Sequence, residues 1–367
     1  MKGFIDSYIQ GAIKNEISHI QIHHYEFKTD FNIKYLVDDG SKIADSILAS
    51  PVVKAVSPRS IVNGMVASSR KAAGVKIYGI DPDRESNVTH HETFIVEGDY
   101  FKGIKRNPIV IGKKLADELG VKVRSKIILT FQDINQDITA AAYRIVGIID
   151  TTSPVLNESV VFVRRSDIAG LLGIPNAVHE IAIFLETPDD EQMVLSALSS
   201  NLLNLKVESW RTIAPELDLI LDMMGSFLLI LQVIIMIGLA FGIINSMLMA
   251  VLERFKELGM LMALGMNRAR VFSMIVLETV FLSVVGGPLG LIAGYITISL
   301  LAKSGIDLTN YSAALKEYGY DSVLYPIVEP SAYIIIAIGV VLTALISALY
   351  PAYKAVKLKP IEALHKI

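Results

Sequence analysis

"MMGSFLLILQVIIMIGLAFGIINSMLMAVL", residues 223–252, is an uncharged run of thirty residues that decides the architecture of this chain. A helix crosses the hydrocarbon core of a bilayer with roughly 20 apolar residues, because each residue adds about 1.5 Å. Two further runs are as apolar: 271–302, whose one charge is Glu278, and 330–353, which has none. The sequence therefore predicts three membrane spans, at about 223–252, 271–302 and 331–353.

The charges between these runs predict the orientation, since Lys and Arg concentrate on the cytoplasmic side. Residues 253–270 carry four basic and two acidic side chains, and residues 353–367 carry four and one. Residues 303–329 carry two basic and four acidic side chains. We therefore expect 253–270 and the C-terminal tail in the cytoplasm, and 303–329 and the region before the first run outside.

The N-terminal segment does not explain how a region of some 200 residues reaches the outside. "MKGFIDSYIQGAIKNEIS" has no apolar core long enough for a span or a signal peptide. The hypothesis is that residues 1–15 are the remnant of a first transmembrane helix or its stalk, and that a span is missing before them.

The region before the first run predicts a mixed fold. Helical spacing occurs at 38–49, 112–119, 166–172 and 190–203. Strands are predicted where apolar residues alternate or cluster between turn residues. They are "ISHIQIHH", "VVKAVSPR", "KIYGIDP", "SKIILTFQD", "AAYRIVGIID", "ESVVFVRR" and "EIAIFLET". Because helices and strands do not alternate strictly, the prediction is an α+β domain at 16–215, followed by an α-helical membrane domain at 216–367. Residues 28–208 are expected to fold alone.

Catalytic and metal chemistry find no support in the sequence. "NPIVIGKK" fails as a phosphate-binding loop at Asn107 and Lys114, so no nucleotide site is expected in this chain. The pairs His23–His24 and His90–His91 are neighbours whose side chains diverge, and solvated or turn histidines are the preferred interpretation. No cofactor, no metal, no catalytic residue and no nucleic-acid partner is predicted. The absence of cysteine excludes disulfides and leaves the compartment open.

The segment "ERFKELGMLMALGM", residues 253–266, is amphipathic, with apolar residues three, four and seven apart. It is predicted to lie along the membrane surface. Gly259 would let another protein approach, and Gly265 would end the helix in a left-handed cap. Either a plain interfacial linker or a docking surface for a cytoplasmic protein fits this pattern.

Glu278 and a group of glycines stand out inside the second run. Glu278 either couples functionally or is merely solvated near the interface, where it can pair with a basic residue. Gly286, Gly287, Gly290 and Gly294 leave one helix face small, which predicts close packing against a neighbour.

These motifs together resemble a known family. "ERFKELGMLMALGMNRARVFSMIVLE", "GGPLGLIAG" and the closing "YPAYKAVKLKPIEALH" resemble the permease subunits of MacB-like, FtsX-like and lipoprotein-releasing ABC transporters. "VEGDYF", "NPIVIGKKLADELGVKV" and "YRIVGIID" resemble the periplasmic core domain of MacB-like proteins. The resemblance implies four transmembrane helices, of which this chain shows three, in the cytoplasmic (inner) membrane with the large domain outside.

The resemblance also implies partners and a site. Residues 253–265 would be a coupling helix that touches a separate cytoplasmic ABC ATPase subunit. Its residues would be Glu253, Arg254, Glu257, Leu258, Gly259, Ala263, Leu264 and Gly265, with Glu278 as a further coupling position in the membrane. The other implied partners are a second permease subunit, identical or not, membrane lipid, and a periplasmic adaptor or lipoprotein cargo.

Three functions are compared at this point. The first is a permease that transmits ATP-driven motion to the outer domain, for lipoprotein release or for export of peptides or drugs. The second is an FtsX-like membrane regulator of a cell-wall hydrolase, for which an outer region of this size is large. The third, an intramembrane enzyme, is disfavoured because Glu278 has no second ionisable group at its depth.

Overall fold

The computed structural model describes residues 9, 11–103, 106–151, 153–174, 176–311, 323–326, 328 and 330–357. Contacts between residues divide the chain into two compact units. One, called here the β unit, holds residues up to 219 together with 308–311; the other, the helical unit, holds the three long helices from residue 220 on. Much of the predicted first segment, residues 1–8 and 10, and the second half of the closing motif, from residue 358 on, lie outside the described residues.

The β unit contains ten paired strands. They are β1 (Ile20–His23), β2 (Val53–Ala67), β3 (Ala72–Ile80), β4 (Ile95–Gly98), β5 (Pro108–Gly112), β6 (Lys126–Gln132), β7 (Ile138–Ile149), β8 (Val160–Arg164), β9 (Glu180–Leu185) and β10 (Lys206–Ser209). All seven predicted strands are present. The sequence reasoning missed β4, β5 and β10, which are short, and the second half of β2.

Six of these strands form a closed ring. The pairings run β2–β3–β8–β5–β7–β6 and return to β2, where Gly64 lies opposite Phe131. Beyond the ring, β2 also pairs with β9, then β9 with β1 and β1 with β10. The ring and this three-stranded extension therefore share β2, whose fifteen residues are long enough to serve both.

Short helices cover the ends and one side of the strands. They are α1 (Phe27–Asp30), α2 (Gly40–Leu48), α3 (Pro82–Thr89), α4 (Lys113–Leu119), α5 (Pro154–Ser159), α6 (Arg165–Ala169), α7 (Glu191–Asn201) and α8 (Trp210–Ile213). One cluster of buried side chains fills the ring beneath α4 and α6, and a second lies between the extension and α2. The predicted α+β class is confirmed.

Strand β1 differs from its prediction. The alternation of Ile20 and Ile22 with polar residues predicted a half-buried strand, but all four residues are buried. His23 is fully buried, and its Nε2 lies 2.7 Å from Glu208 Oε2 of β10. His91 is also buried, and its Nε2 lies 2.6 Å from the carbonyl oxygen of Asn15. The interpretation of these two histidines as solvated was therefore wrong, because elements distant in sequence cover their polar face.

A buried charge cluster joins β2, α3 and β9. The Arg59 guanidinium donates to Glu85 Oε1 at 2.6 Å and to Glu180 Oε1 at 3.0 Å, and Ser57 Oγ donates to Glu85 Oε2 at 2.6 Å. Burial alone would raise the pKa of Glu85, but the Arg59 charge and these hydrogen bonds lower it. Removing either partner would leave an uncompensated buried charge, which typically costs 3–5 kcal/mol, by order of magnitude.

The helical unit is built on three long helices joined by a short one. They are α9 (Pro215–Glu253), α10 (Phe255–Ala263), α11 (Arg268–Ser304) and α12 (Pro330–Val356); α9, α11 and α12 are each long and apolar enough to cross a membrane. The three predicted spans therefore coincide with helices. Two short strands, β11 (Ile306–Asp307) and β12 (Val323–Leu324), pair beyond the end of α11.

The glycines of α11 do not pack as predicted within this chain. A methyl group added at Gly286, Gly290 or Gly294 would meet nothing within 4 Å, and one at Gly287 would only reach Val340 at 3.9 Å. These residues instead line a groove of about 940 Å³ between the three long helices. The close contact of α12 uses alanines: Ala344, Ala348, Ala352 and Ala355 are fully buried.

Candidate functional site

The candidate site is the junction between α9 and α11, residues 253–267, which holds every predicted coupling residue except Glu278. Helix α9 ends at Glu253, and α10 begins only two residues later at Phe255. The predicted coupling segment 253–265 thus contains the nine residues of α10 and its two ends.

One face of α10 is fixed to the rest of the helical unit. Leu258 is 4% exposed, and Gly259 beside it is buried as well. Leu258 packs in a cluster with residues of all three long helices. They are Met247 and Val251 of α9, Val271 and Ile275 of α11, and Ala352 and Ala355 of α12. A displacement of α10 therefore acts on the ends of α9, α11 and α12 together.

The end of α10 has a defined backbone geometry around Gly265. The Met266 N–H donates to the Leu261 carbonyl at 3.0 Å, and the Gly265 N–H donates to the Met262 carbonyl at 3.2 Å. This pair of bonds is the Schellman motif, which requires a left-handed residue one position past the helix cap. Gly265 supplies it with φ +98°. The Asn267 side chain accepts a hydrogen bond from the Ala269 N–H at 3.1 Å. This bond caps the start of α11, which begins at Arg268.

The start of α10 is tied to α11 by an ion pair. Arg254 Nη1 lies 3.0 Å from Glu278 Oε1, with side chains 59% and 37% exposed. In water such an exposed pair contributes about 0–1 kcal/mol. Glu278 thus has the basic partner that the sequence analysis left open, and the pair links the α9–α10 corner to a position ten residues into α11.

The other face of α10 is exposed. Met260 is 54% exposed and Leu264 is 80% exposed, and they lie four residues apart on one side of the helix. Lys256, Glu257 and Ala263 are exposed beside them. The exposed face is therefore an apolar pair with charges of both signs around it, as in a small protein-binding surface.

The predicted residues fall on both faces. Glu253, Arg254, Glu257, Ala263 and Leu264 are exposed, whereas Leu258 and Gly259 face the chain's own helices. The expectation that Gly259 admits another protein is therefore wrong, since its surroundings are already occupied. The sequence analysis did not include Met260 and Lys256. Met260 lies four residues before Leu264, and Lys256 lies four residues before Met260. This spacing indicates one side of a helix for all three residues.

Among the residues that the structure describes, no group of three His, Cys, Asp or Glu side chains could hold a metal ion. One face of α10 packs against the three long helices, and the opposite face is exposed.

Residues 229–360, from α9 to beyond α12, match the model of the FtsX-like permease C-terminal family. The chain carries an FtsX-like permease domain. The permease is 25% identical over 350 residues to the lipoprotein-releasing system transmembrane protein LolC of Haemophilus influenzae, covering 92% of this chain and 80% of that protein. It is 26% identical over 358 residues to the macrolide export ATP-binding/permease protein MacB of Bdellovibrio bacteriovorus, covering 90% and 50%.

The permease also has neighbours among solved structures. The periplasmic region of MacB from Actinobacillus actinomycetemcomitans aligns with a TM-score of 0.40 at 12% identity, covering 57% of this chain and 97% of that one. The extracellular domain of a YknZ transporter aligns with a TM-score of 0.37 at 13% identity, covering 52% and 100%. The chain is thus similar to permeases of the FtsX, LolC and MacB type, and three of its helices are long and apolar enough to cross a membrane.

Proposed function

We propose that this permease transmits ATP-driven motion from a separate cytoplasmic ATPase, through α10, to its β unit outside the membrane. One observation carries the proposal: α10 is bound on one face to the ends of three long helices and presents Met260 and Leu264 on the other. A partner that binds this exposed face and moves would displace the three helices as a group.

Helix α9 provides the route for that displacement. It runs unbroken for 39 residues, a length of roughly 58 Å, whereas the hydrocarbon core is about 30 Å thick. Motion applied at Glu253 is therefore carried beyond the bilayer by hydrogen-bonded helix instead of by a loop. The excess of basic residues at 253–270 supports a cytoplasmic position for α10, in the inner membrane of the cell.

The relatives support a cargo class and an assembly. The LolC relative, named for lipoprotein release, matches along most of both chains. We therefore propose that the permease acts in the release of lipid-anchored proteins. Export of peptides or drugs is the alternative, which the MacB relatives suggest. The work would be done together with a second permease subunit, and ATP hydrolysis would belong to the partner.

The test changes the exposed face of α10. Leu264→Asp should reduce co-purification of the ATPase by roughly tenfold or more, because burying a leucine side chain contributes about 1.5–3 kcal/mol. Leu203→Asp is the matched control, since Leu203 is 76% exposed in the β unit. Glu257→Lys should weaken binding by less than about fivefold, because an exposed ion pair contributes about 0–1 kcal/mol.

Both variants should insert into the membrane and accumulate like the unchanged permease. Full ATPase binding by Leu264→Asp at normal abundance would show that α10 is only a surface linker.

A further inference from the structure

Residues 13–18, which lead into β1, have an unusual backbone. Ile13–Ile17 form a single π-helical turn, which the Ser18 N–H closes by donating to the Ile13 carbonyl at 2.7 Å. Turns of this kind are rare and occur often at functional sites. Residues 13–18 are called here the entry segment.

Ser18 has a backbone conformation that belongs to glycine. Its φ is +67° and its ψ is 173°, and the residue is fully buried. A residue with a Cβ is disfavoured in this region by a factor of roughly five to a hundred, and it stays there only where its surroundings over-determine it. The entry segment is therefore seen in a strained state.

His19, the next residue, adds a second cost. It is buried, and its Nδ1 accepts the Leu185 N–H at 3.2 Å, so its Nε2 carries the proton. This Nε2 has no acceptor among the residues that the structure describes. A buried donor without an acceptor has lost its hydrogen bonds to water without compensation. Two adjacent residues therefore disfavour the conformation in which the segment lies.

Polar contacts from separate elements hold the entry segment in place against these costs. His91 Nε2 donates to the Asn15 carbonyl at 2.6 Å, from a turn that follows α3. Ser153 Oγ, at the start of α5, donates to Glu16 Oε2 at 2.8 Å. The middle of the segment is thus anchored to two elements that are distant in sequence.

The anchors continue into the buried charge cluster and into β1. His91 Nδ1 lies 3.2 Å from Thr89 Oγ1, and this hydroxyl lies 3.0 Å from Glu85 Oε1 of the cluster. At the end of the segment, Gln21 Nε2 donates to the Ile17 carbonyl at 2.5 Å. The strained backbone is therefore held by the charge cluster on one side and by β1 on the other.

The entry segment also lies beside the point where α9 begins. Helix α8, which immediately precedes α9, contacts it. Burial raises the pKa of Glu16, and the carboxylate of Glu216, in the first turn of α9, also raises it. Two like charges therefore meet here, and the position of Glu216 acts on the stability of the docked segment.

We propose that the entry segment is a conformational switch with two states: the docked state of this structure, and a released state in which Ser18 relaxes and the segment leaves its polar anchors. The strain at Ser18 favours release, and the polar anchors favour docking. Displacement of Glu216 by α9 shifts the balance between the states. This last step rests on the proposed function, whereas the existence of the two states does not.

The first experiment measures release in the full permease, which has no cysteine of its own. Asn15 is buried, so Asn15→Cys reacts with a small thiol reagent only after release. Lys14→Cys, exposed in the same turn, should react at once, and Ala182→Cys, fully buried in β9, only when the β unit unfolds. The rate for Asn15→Cys should lie between these two. A rate equal to either control would overturn the proposal, because either the docked state or a separate released state would be missing.

Variants at Ser18 in the Asn15→Cys permease test the strain. Ser18→Gly should slow labelling roughly threefold or more, because it removes the strain and the backbone freedom of glycine offsets only part of this gain. Ser18→Ala is the matched control, since alanine keeps the Cβ and therefore the strain, and it should not slow labelling. Equal rates for the glycine and alanine variants would overturn the proposal.

A variant at His91 tests the anchors. His91→Phe leaves the Asn15 carbonyl without its donor and should accelerate labelling of Asn15→Cys roughly tenfold. Labelling of Ala182→Cys should not accelerate, which distinguishes release of the segment from unfolding of the β unit. His24→Phe, elsewhere in the β unit, is the control. Equal acceleration at positions 15 and 182 would overturn the proposal.

The link to α9 is tested separately. Glu216→Lys should slow labelling of Asn15→Cys by up to about fivefold, since a cation replaces the like charge beside Glu16, whereas Asp189→Lys, at an exposed site elsewhere, should not. With the ATPase bound, ATP should change the rate at least twofold. An unchanged rate in a permease that retains its ATPase would overturn the link to α9. Loss of the ATPase itself, as expected for Leu264→Asp, tests only the coupling through α10.

Discussion

His179 shows how single residues restrict the conditions in which the β unit is stable. It is fully buried, and its Nδ1 accepts the backbone N–H of Ile61 at 3.1 Å. Its Nε2 then carries the proton and donates to the Ile33 carbonyl at 3.1 Å. A second proton would sit on Nδ1 and point at the Ile61 N–H. These two hydrogen bonds therefore favour the neutral ring. Burial lowers the pKa of His179 from 6.5 to about 4.

We expect the β unit to lose stability in acid. Burial also lowers the pKa values of His19 and His91 to about 4. Between pH 6.5 and 4 the unfolded chain binds protons that the folded chain does not, so the free energy of unfolding falls as pH decreases. Each such histidine contributes a slope of about 1.4 kcal/mol per pH unit. Urea unfolding at several pH values, followed by fluorescence of Trp210, the only tryptophan in the chain, measures it.

A pair of variants assigns this acid sensitivity. His179→Gln should make the pH slope shallower by the contribution of one histidine, whatever its effect on stability at pH 7. His24→Gln is the control, because His24 is only partly buried and stacks on Tyr35. An equal slope in all three proteins would show that His179 titrates alike in the folded and unfolded chains.

Residue burial was the least predictable property from sequence. The alternation in β1 correctly predicts a strand, but it cannot show that Glu208 of the neighbouring strand β10 contacts His23. For the same reason Gly259 was assigned to a partner contact, although α10 turns it toward the permease. The prediction that Gly265 ends α10 was confirmed, because that requirement is local to the backbone.

At the scale of elements, α10 depends on the geometry of its last turn. Gly265→Ala should cost about 1–2 kcal/mol, since residues with a side chain disfavour positive φ. Space is not the cause, because an added methyl group would meet nothing within 4 Å. Hydrogen exchange of the Leu264 and Met266 amides should therefore accelerate roughly fivefold to thirtyfold.

Gly290→Ala is the matched control for this variant. It adds the same methyl group in open space within α11, where no positive φ is required, so exchange at α10 should not change. Gly265→Asn should fall between the two, because asparagine tolerates left-handed conformations. If Gly265→Ala leaves α10 as protected as before, its end is not held by the Schellman motif.

Elements with strong periodicity were predicted well, and weakly patterned ones were not. The three long helices follow from uninterrupted apolar runs, and seven strands follow from alternation or clustering. Strand β10 has only four residues and pairs only with β1, so its sequence "KVES" carries no pattern that distinguishes it from a loop. The second half of β2 was missed because Asn63 and Gly64 interrupt the apolar pattern.

At the scale of the whole molecule, ring closure lies beyond sequence reasoning. Ring closure depends on β2 meeting β6 at one register, with Gly64 opposite Phe131, although these two residues are far apart in the sequence. Local alternation decides which side of a strand is buried, but it does not choose a partner strand. The mixed α+β class was therefore predictable and its topology was not.

The limits of the independently folding part can be tested with two fragments. Residues 11–214 contain all ten strands, whereas residues 28–214 lack β1. Without β1, β10 has no pairing partner and the edge of β9 is exposed. We expect cooperative unfolding for residues 11–214 and aggregation or loss of cooperativity for 28–214, measured by Trp210 fluorescence and sedimentation.

The same measurement tests the expectation that residues 28–208 fold alone, since that fragment also begins after β1. Equal stability of the two fragments would mean that β1 is dispensable and that the ring alone defines the folding unit.

The pairing of β1 with β10 has a consequence for how such proteins can be recombined. Ile20 lies opposite Ser209, and the Trp210 N–H donates to the His19 carbonyl at 3.0 Å. The first and last strands of the β unit therefore lie side by side, so the chain enters and leaves these strands at adjacent points. A different domain whose first and last strands are also neighbours would begin and end at the same two positions. A permease could in this way keep its helical unit and exchange its β unit in a single recombination event.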